Sequence, residues 1–143
     1  MVDNRISGRL ALITGASGGY DLSFLTEPLH PYKRITKLIL KLSIGAACAR
    51  DFFSQGVNLA LTYSTNRTAI EELVVSLKAL ESEVNKTLRI SVHKVDFAST
   101  EEIENLFTEI KEQHQTHVDI LVSNAGYGKR IVDISSVSFQ PYI

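Results

Sequence analysis

Apolar residues along this chain fall into two alternating rhythms. Continuous runs sit at residues 9–14 (RLALIT) and 57–63 (VNLALTY), the second entered through Gly56. A run without polar alternation reads as a strand covered on both faces. Residues 89–95 (RISVHKV) alternate and predict a third strand; residues 118–123 (VDILVS) predict a fourth that ends in a glycine-bearing turn. Between the strands the spacing becomes helical. Residues 44–54 lead into Gly56 as a C-terminal stop. Residues 68–84 set Ile70, Leu73, Val74, Leu77 and Leu80 on one face. Ser99 and Glu102 have the form of a capping box, followed by Ile103, Leu106, Phe107 and Ile110 as the apolar face of a third helix. Strands alternating with helices imply parallel strands joined by right-handed crossovers. The expected fold class is therefore α/β, a partial doubly wound parallel sheet of Rossmann type with about four strands and crossover helices.

The ends of these strands carry the candidate chemistry. The first runs into Thr14-Gly15-Ala16-Ser17-Gly18-Gly19, where glycines allow a tight turn and close backbone approach to a pyrophosphate. The following helix would then offer its free N–H groups and dipole to the phosphates. Such a helix starts only at Ile44-Gly45-Ala46-Ala47-Cys48-Ala49-Arg50. Joined to Gly19, that stretch completes a string that resembles the T-G-x-x-x-G-x-G cofactor loop of the short-chain dehydrogenase/reductase family. Val95-Asp96-Phe97 and Ser123-Asn124-Ala125-Gly126 are similar to two further family elements, with Ser123 in place of the usual first asparagine. The resemblance implies cofactor contacts from Gly15, Ser17, Gly19, Ile44 and Gly45, from Asp96 and Phe97 beside the adenine, and from Asn124, Ala125 and Gly126. It also implies an NAD(P)H-dependent oxidoreductase of the carbonyl or 3-oxoacyl-acyl-carrier-protein reductase type, with a small-molecule carbonyl substrate.

Cofactor choice follows from residues 62–67 (TYSTNR), at the end of the second strand. An acidic side chain there would bind the ribose hydroxyls of NAD; instead the segment offers Ser64, Asn66 and the guanidinium of Arg67, suited to a 2′-phosphate. NADP is the expected cofactor and NAD the alternative.

Composition narrows the setting. A formal net charge of -1 excludes nucleic-acid or membrane partners held by bulk electrostatics, and no apolar stretch is long enough to span a bilayer. One cysteine, Cys48, fits a reducing compartment and reads as buried packing. The cytoplasm is the expected location, which makes the sequons at Asn66 and Asn85 accidental. His114 and His117 have helical spacing without a carboxylate or cysteine cluster, so they read as a solvated helix end; no metal site is expected.

Two segments depart from the family pattern. Residues 20–43 separate Gly19 from Ile44, which would be adjacent in a relative, and read as a retained intron or gene-model error. Within them Ile35, Leu38, Ile39 and Leu42 share a helical face. The next helix either extends backwards by about three turns, moving its N-terminus from the glycine turn, or still begins near Ile44. Residues 135–143 form an atypical tail. The family's reduction uses a serine and a Tyr-x-x-x-Lys pair, in which lysine lowers the pKa of the tyrosine. Tyr20, Tyr32, Tyr63 and Tyr127 are followed four residues later by Phe24, Thr36, Arg67 and Ile131, and Tyr142 by nothing. No catalytic residue is assigned. The chain is expected to be the N-terminal part of one dinucleotide-binding domain, inactive alone, with homo-oligomers only for a full-length form. The alternatives are a non-catalytic binding or dimer-partner fragment, or a non-functional mis-spliced product.

Overall fold

A computed structural model describes residues 5–17, 43–80 and 87–126. Four strands, β1 (Leu10–Ile13), β2 (Asn58–Tyr63), β3 (Ile90–Lys94) and β4 (Ile120–Val122), form one parallel sheet in the order β3-β2-β1-β4. Three helices cross between them: α1 (Ile44–Ser54), α2 (Arg67–Lys78) and α3 (Thr100–His114). Gly19, residues 20–42 of the atypical segment and the tail at 135–143 lie outside the described residues.

The sheet grows one way from β1 through β2 to β3, then jumps back past β1 to β4. Helices on a parallel sheet follow right-handed crossovers, so reversing the direction of growth changes the face on which the helix lies. The core divides accordingly. On the first face Ala11, Ile13, Leu59 and Leu61 pack with Ala46, Ala49 and Phe53 of α1 and Ile70, Leu73 and Leu77 of α2. On the second, Leu10, Leu12 and Ala60 pack with Leu106 and Ile110 of α3. Strand β1 lies between these clusters and is buried at all four positions, as its unbroken apolar run predicts. Its start is tied to β4 by Asp119, whose carboxylate accepts from Leu10 N at 2.8 Å and whose N–H donates to the Leu10 carbonyl at 2.9 Å.

Local signals set most element ends. At the end of α1, Gly56 N donates to Phe53 O and Val57 N to Phe52 O, both at 3.1 Å, with Gly56 at φ +81°. These paired bonds form a Schellman stop and need the left-handed conformation that glycine adopts freely. A Cβ on Gly56 would lie 2.6 Å from Ser7 Oγ, so that hydroxyl would also have to turn away. Helix α2 begins one residue before the expected position, with Asn66 as cap, and its assigned helix ends at Lys78. Leu80 lies beyond that end and is exposed; residues 81–86 are outside the description. On α3, Phe107 is half-exposed instead of joining Leu106 and Ile110 in the core. Strand β3 departs most from the sequence reading: Ser91 and His93 are its buried positions, while Val92 is 39% exposed.

Candidate functional site

The direction of sheet growth reverses at β1, so the crossovers leave a crevice beyond the carboxyl ends of β1 and β4. This is the position at which open α/β sheets hold ligands. Sequence elements 108 or more residues apart meet here. The Thr14 hydroxyl donates to Val122 O at 3.3 Å and accepts from the backbone N–H groups of Asn124 at 2.9 Å and Ala125 at 3.0 Å. The Asn124 side-chain amide donates back to the carbonyls of Thr14 at 3.1 Å and Gly15 at 3.0 Å. Two motif fragments recognised separately in the sequence are thus laced into one wall.

Strand β2 braces the same turn. Gly15 N donates to Thr62 Oγ1 at 3.0 Å and Ala16 N to Thr62 O at 2.9 Å. Gly15 has φ +60°, and a Cβ there would lie 3.0 Å from Ala125 Cα. A Cβ on Gly45 would meet Asn124 Nδ2 at 2.7 Å and Ala16 Cα at 3.0 Å. The protein's own packing therefore requires both glycines, independently of any close approach by a ligand.

Helix α1 starts against this wall. Ser43 is extended (φ −62°, ψ 141°), its hydroxyl accepts from Ala46 N at 3.1 Å and donates to Ala16 O at 3.3 Å, and its carbonyl accepts from Ala47 N. The backward-extended helix is therefore not formed through Ser43, because an extended cap ends the helical geometry there. The other alternative holds, with the helix beginning at Ile44. Ile44 and Gly45 supply first-turn amides ahead of those Ser43 engages, and the positive end of the helix dipole lies at the turn.

The other predicted residues are distributed around this wall. After β2, Ser64 is exposed and the Asn66 side-chain oxygen caps α2 by accepting from Ala69 N at 3.0 Å. Arg67 opens α2 with an exposed side chain; its Nε donates to Glu71 Oε1 at 2.7 Å, a bond that raises the arginine pKa further. After β3, Asp96 is exposed with one carboxylate oxygen accepting from Ala98 N at 2.9 Å, and Phe97 is 39% exposed. Half of the expected capping box is present: Ser99 Oγ accepts from Glu102 N at 3.2 Å. Glu102 reaches instead to Asp96 N, at 2.7 Å, tying the segment after β3 to α3. Ser17 is half-buried; Ala125 and Gly126 are exposed.

Three residues outside the expected set hold the site together. Thr14 and Thr62 are buried hydroxyl residues, and Ser43 caps α1 from a segment set apart as atypical. Ser43 carried a readable signal, a serine immediately before an apolar helical run. Thr14 was readable only as the first residue of the glycine motif, and Thr62 carried no signal, since its partners are distant in sequence. Two further expectations change. His114 is buried rather than solvated, and His117 lies beyond the end of α3. Cys48 is only half-buried.

A family sequence model described as enoyl-(acyl carrier protein) reductase matches residues 39–142. No curated protein matches the chain. Solved structures do. A short-chain dehydrogenase from Burkholderia cenocepacia J2315 in complex with NADP is 25% identical, with a TM-score of 0.65 over 94% of this chain and 42% of its own. The landomycin C-6 ketoreductase LanV, with bound NADP and rabelomycin, is 25% identical, with a TM-score of 0.57 over 86% and 40%. A short chain dehydrogenase from Mycobacterium smegmatis is 23% identical, with a TM-score of 0.61 over 87% and 40%. The chain thus spans about two fifths of the length of these structures. Among the described residues, no helix is long and apolar enough to cross a membrane.

Proposed function

This chain belongs to the short-chain dehydrogenase/reductase family of oxidoreductases, and from that premise we propose that it is the NADP(H)-holding part of a carbonyl reductase. The observation that carries the reading is the joint at the β1/β4 crevice, where Thr14, Gly15 and Asn124 form one wall and α1 starts against it. A pyrophosphate at this wall would meet the first-turn amides of Ile44 and Gly45 and the turn at Gly15, Ala16 and Ser17. Asn124, Ala125 and Gly126 would border the nicotinamide side of the dinucleotide. Asp96 and Phe97 would flank the adenine, with Glu102 holding the Asp96 backbone in place.

Arg67 supports NADP over NAD. It begins α2 with an exposed guanidinium, after a β2–α2 segment (residues 64–66) that offers Ser64 and Asn66 but no carboxylate. Glu71 already uses its Nε–H, so a 2′-phosphate must compete with that carboxylate or share the guanidinium with it. A reduced nicotinamide dinucleotide would supply the hydride, and the chain's own residues would bind and orient it.

The carbonyl reading draws on the likeness to a ketoreductase, while the family description names an enoyl reductase. Both reactions consume a reduced nicotinamide dinucleotide, so the substrate distinguishes them. No tyrosine among the 143 residues is followed four positions later by lysine, and we assign this polypeptide binding without turnover. The cytoplasm and a homo-oligomeric full-length form belong to the same proposal.

Calorimetric titration with NADPH and NADH tests the binding role, with a variant lacking residues 20–42, which keeps the Ser43 cap, as reference. NADPH should bind more tightly than NADH, and Arg67→Gln should remove the preference. Absence of binding in both forms would refute the proposal. Steady NADPH consumption with a β-keto or enoyl thioester would refute the assignment of inactivity and identify the reaction.

A further inference from the structure

Four side chains form a hydrogen-bonded line away from the cofactor crevice, between β3 and the C-terminal turns of α3. Glu109 Oε2 is 2.8 Å from His93 Nδ1, and His93 Nε2 is 2.9 Å from Ser91 Oγ. His114 Nε2 is 2.8 Å from the same serine oxygen. Ser91, His93 and His114 are 6%, 2% and 7% exposed, whereas the Glu109 side chain is 56% exposed. The line therefore runs from solvent into the sheet face.

The donor and acceptor properties of the groups fix the direction of each bond. A carboxylate only accepts, so His93 Nδ1 donates to Glu109. With both imidazoles neutral, His93 Nε2 is then a lone pair and accepts from the Ser91 hydroxyl. The serine oxygen accepts in turn from His114 Nε2–H. One added proton is accommodated: His93 Nε2–H donates to Ser91, whose hydroxyl turns to a His114 protonated on Nδ1 alone. A second proton is not. Both rings would then donate to one serine oxygen, its hydrogen would lose its acceptor within the line, and two cations would face each other in a buried setting.

The order acid, histidine, serine is that of a nucleophilic triad. Here, however, Ser91 is buried and bonded to histidines on two sides, so an acyl substrate has no approach to it. What the line does is fasten an element. Leu106 and Ile110 of α3 make its apolar contact with the second face, and His114 is the last residue of the helix. The other charge facing this end is Arg89, whose Nη1 donates to the carbonyls of Gln113 and His114 at 3.4 Å. Neighbouring β2 sets Ala60 and Thr62, neither of them titratable, opposite Ser91 and His93.

We infer that Glu109, His93, Ser91 and His114 form an acid-sensitive latch that holds the last turns of α3 on β3 and opens when both imidazoles are charged. Burial first, then the nearby His93 and Arg89, lower the pKa of His114 below its ordinary 6.5. The unfolded chain therefore takes up this proton more readily than the folded one. The contribution of His114 to stability is full above pH 6.5 and is lost as pH falls from there through the lower folded value.

Urea unfolding of the full chain at pH 7.0 and 5.5, with hydrogen exchange read at α3, tests the latch. In the wild type the unfolding equilibrium should shift toward the unfolded state. His114→Gln, which keeps an N–H donor for Ser91 but does not titrate, should reduce that shift by up to about eightfold. His117→Gln, at an exposed position, should leave it unchanged. The last-turn amides of α3 should exchange faster at pH 5.5 relative to those of α1. A wild-type pH shift in His114→Gln, or unchanged relative exchange, would overturn the latch. If His114→Gln does not fold, ring-proton NMR titration of the wild type decides: coupled two-step curves for His93 and His114 support it, and independent one-step curves overturn it.

Discussion

On one face of the sheet, Ile13, Leu59 and Leu61 meet α1 and α2 through side chains that carry no polar atom, with Phe53 at 1% exposure among them. On the other, among the described residues, Leu12 and Ala60 meet one helix, the apolar patch gives way to Ser91 and His93, and Leu121 is 60% exposed. The first face is held by area, which has no direction and fails only when volume is removed. The second is held in part by directed bonds, which fail when a proton or a partner is misplaced. The difference places sensitivity to solution conditions with α3 and leaves α1, which begins at the crevice, on the invariant side.

Truncation sharpens this contrast most. Phe53→Ala should cost about 3–5 kcal/mol of stability by urea titration. Ile110→Ala, on the less covered face, should fall near the lower end of its class, about 2 kcal/mol. Equal losses would mean that the two faces are equally closed. Next comes the joint at the crevice. Gly45→Ala forces a Cβ toward Asn124 Nδ2 and Ala16 Cα and should cost about 1–3 kcal/mol, measured as a lowered Tm. Thr62→Val removes the acceptor for Gly15 N and should cost about 1 kcal/mol; no loss would mean that the Ala16–Thr62 backbone bond holds the turn unaided. The smallest structural effect is expected at Arg67→Gln. An exposed ion pair contributes little, so the urea midpoint should stay in place while the NADPH preference disappears.

Where the sequence was legible, one residue type answered one local need. The unbroken run of β1, the glycine stop after α1 and the serine cap of α3 each act within a few positions of themselves. The β3 phase was not legible, because periodicity counts apolar positions as buried. Ser91 and His93 reverse that rule by finding partners on α3, 16 to 23 residues away. Thr62, and the bonding role of the motif's Thr14, escaped for the same reason: a buried hydroxyl is satisfied by whatever the topology brings to it. At the candidate site, the glycines and Asn124 were readable from the motif, but their mutual contacts required the sheet order. Asn66 was readable as a polar residue after β2, though its described bond serves the helix start.

The contact between Ser43 Oγ and Ala16 O, 3.3 Å across 27 positions, has a practical consequence. Together with the packing of Gly45 on Ala16, it holds the two banks of the intervening sequence beside each other. A junction whose two ends are already adjacent is a permissive site for grafting. An epitope or reporter domain spliced between these anchors should leave the sheet and its helices intact, making the junction a ready handle for engineering this protein.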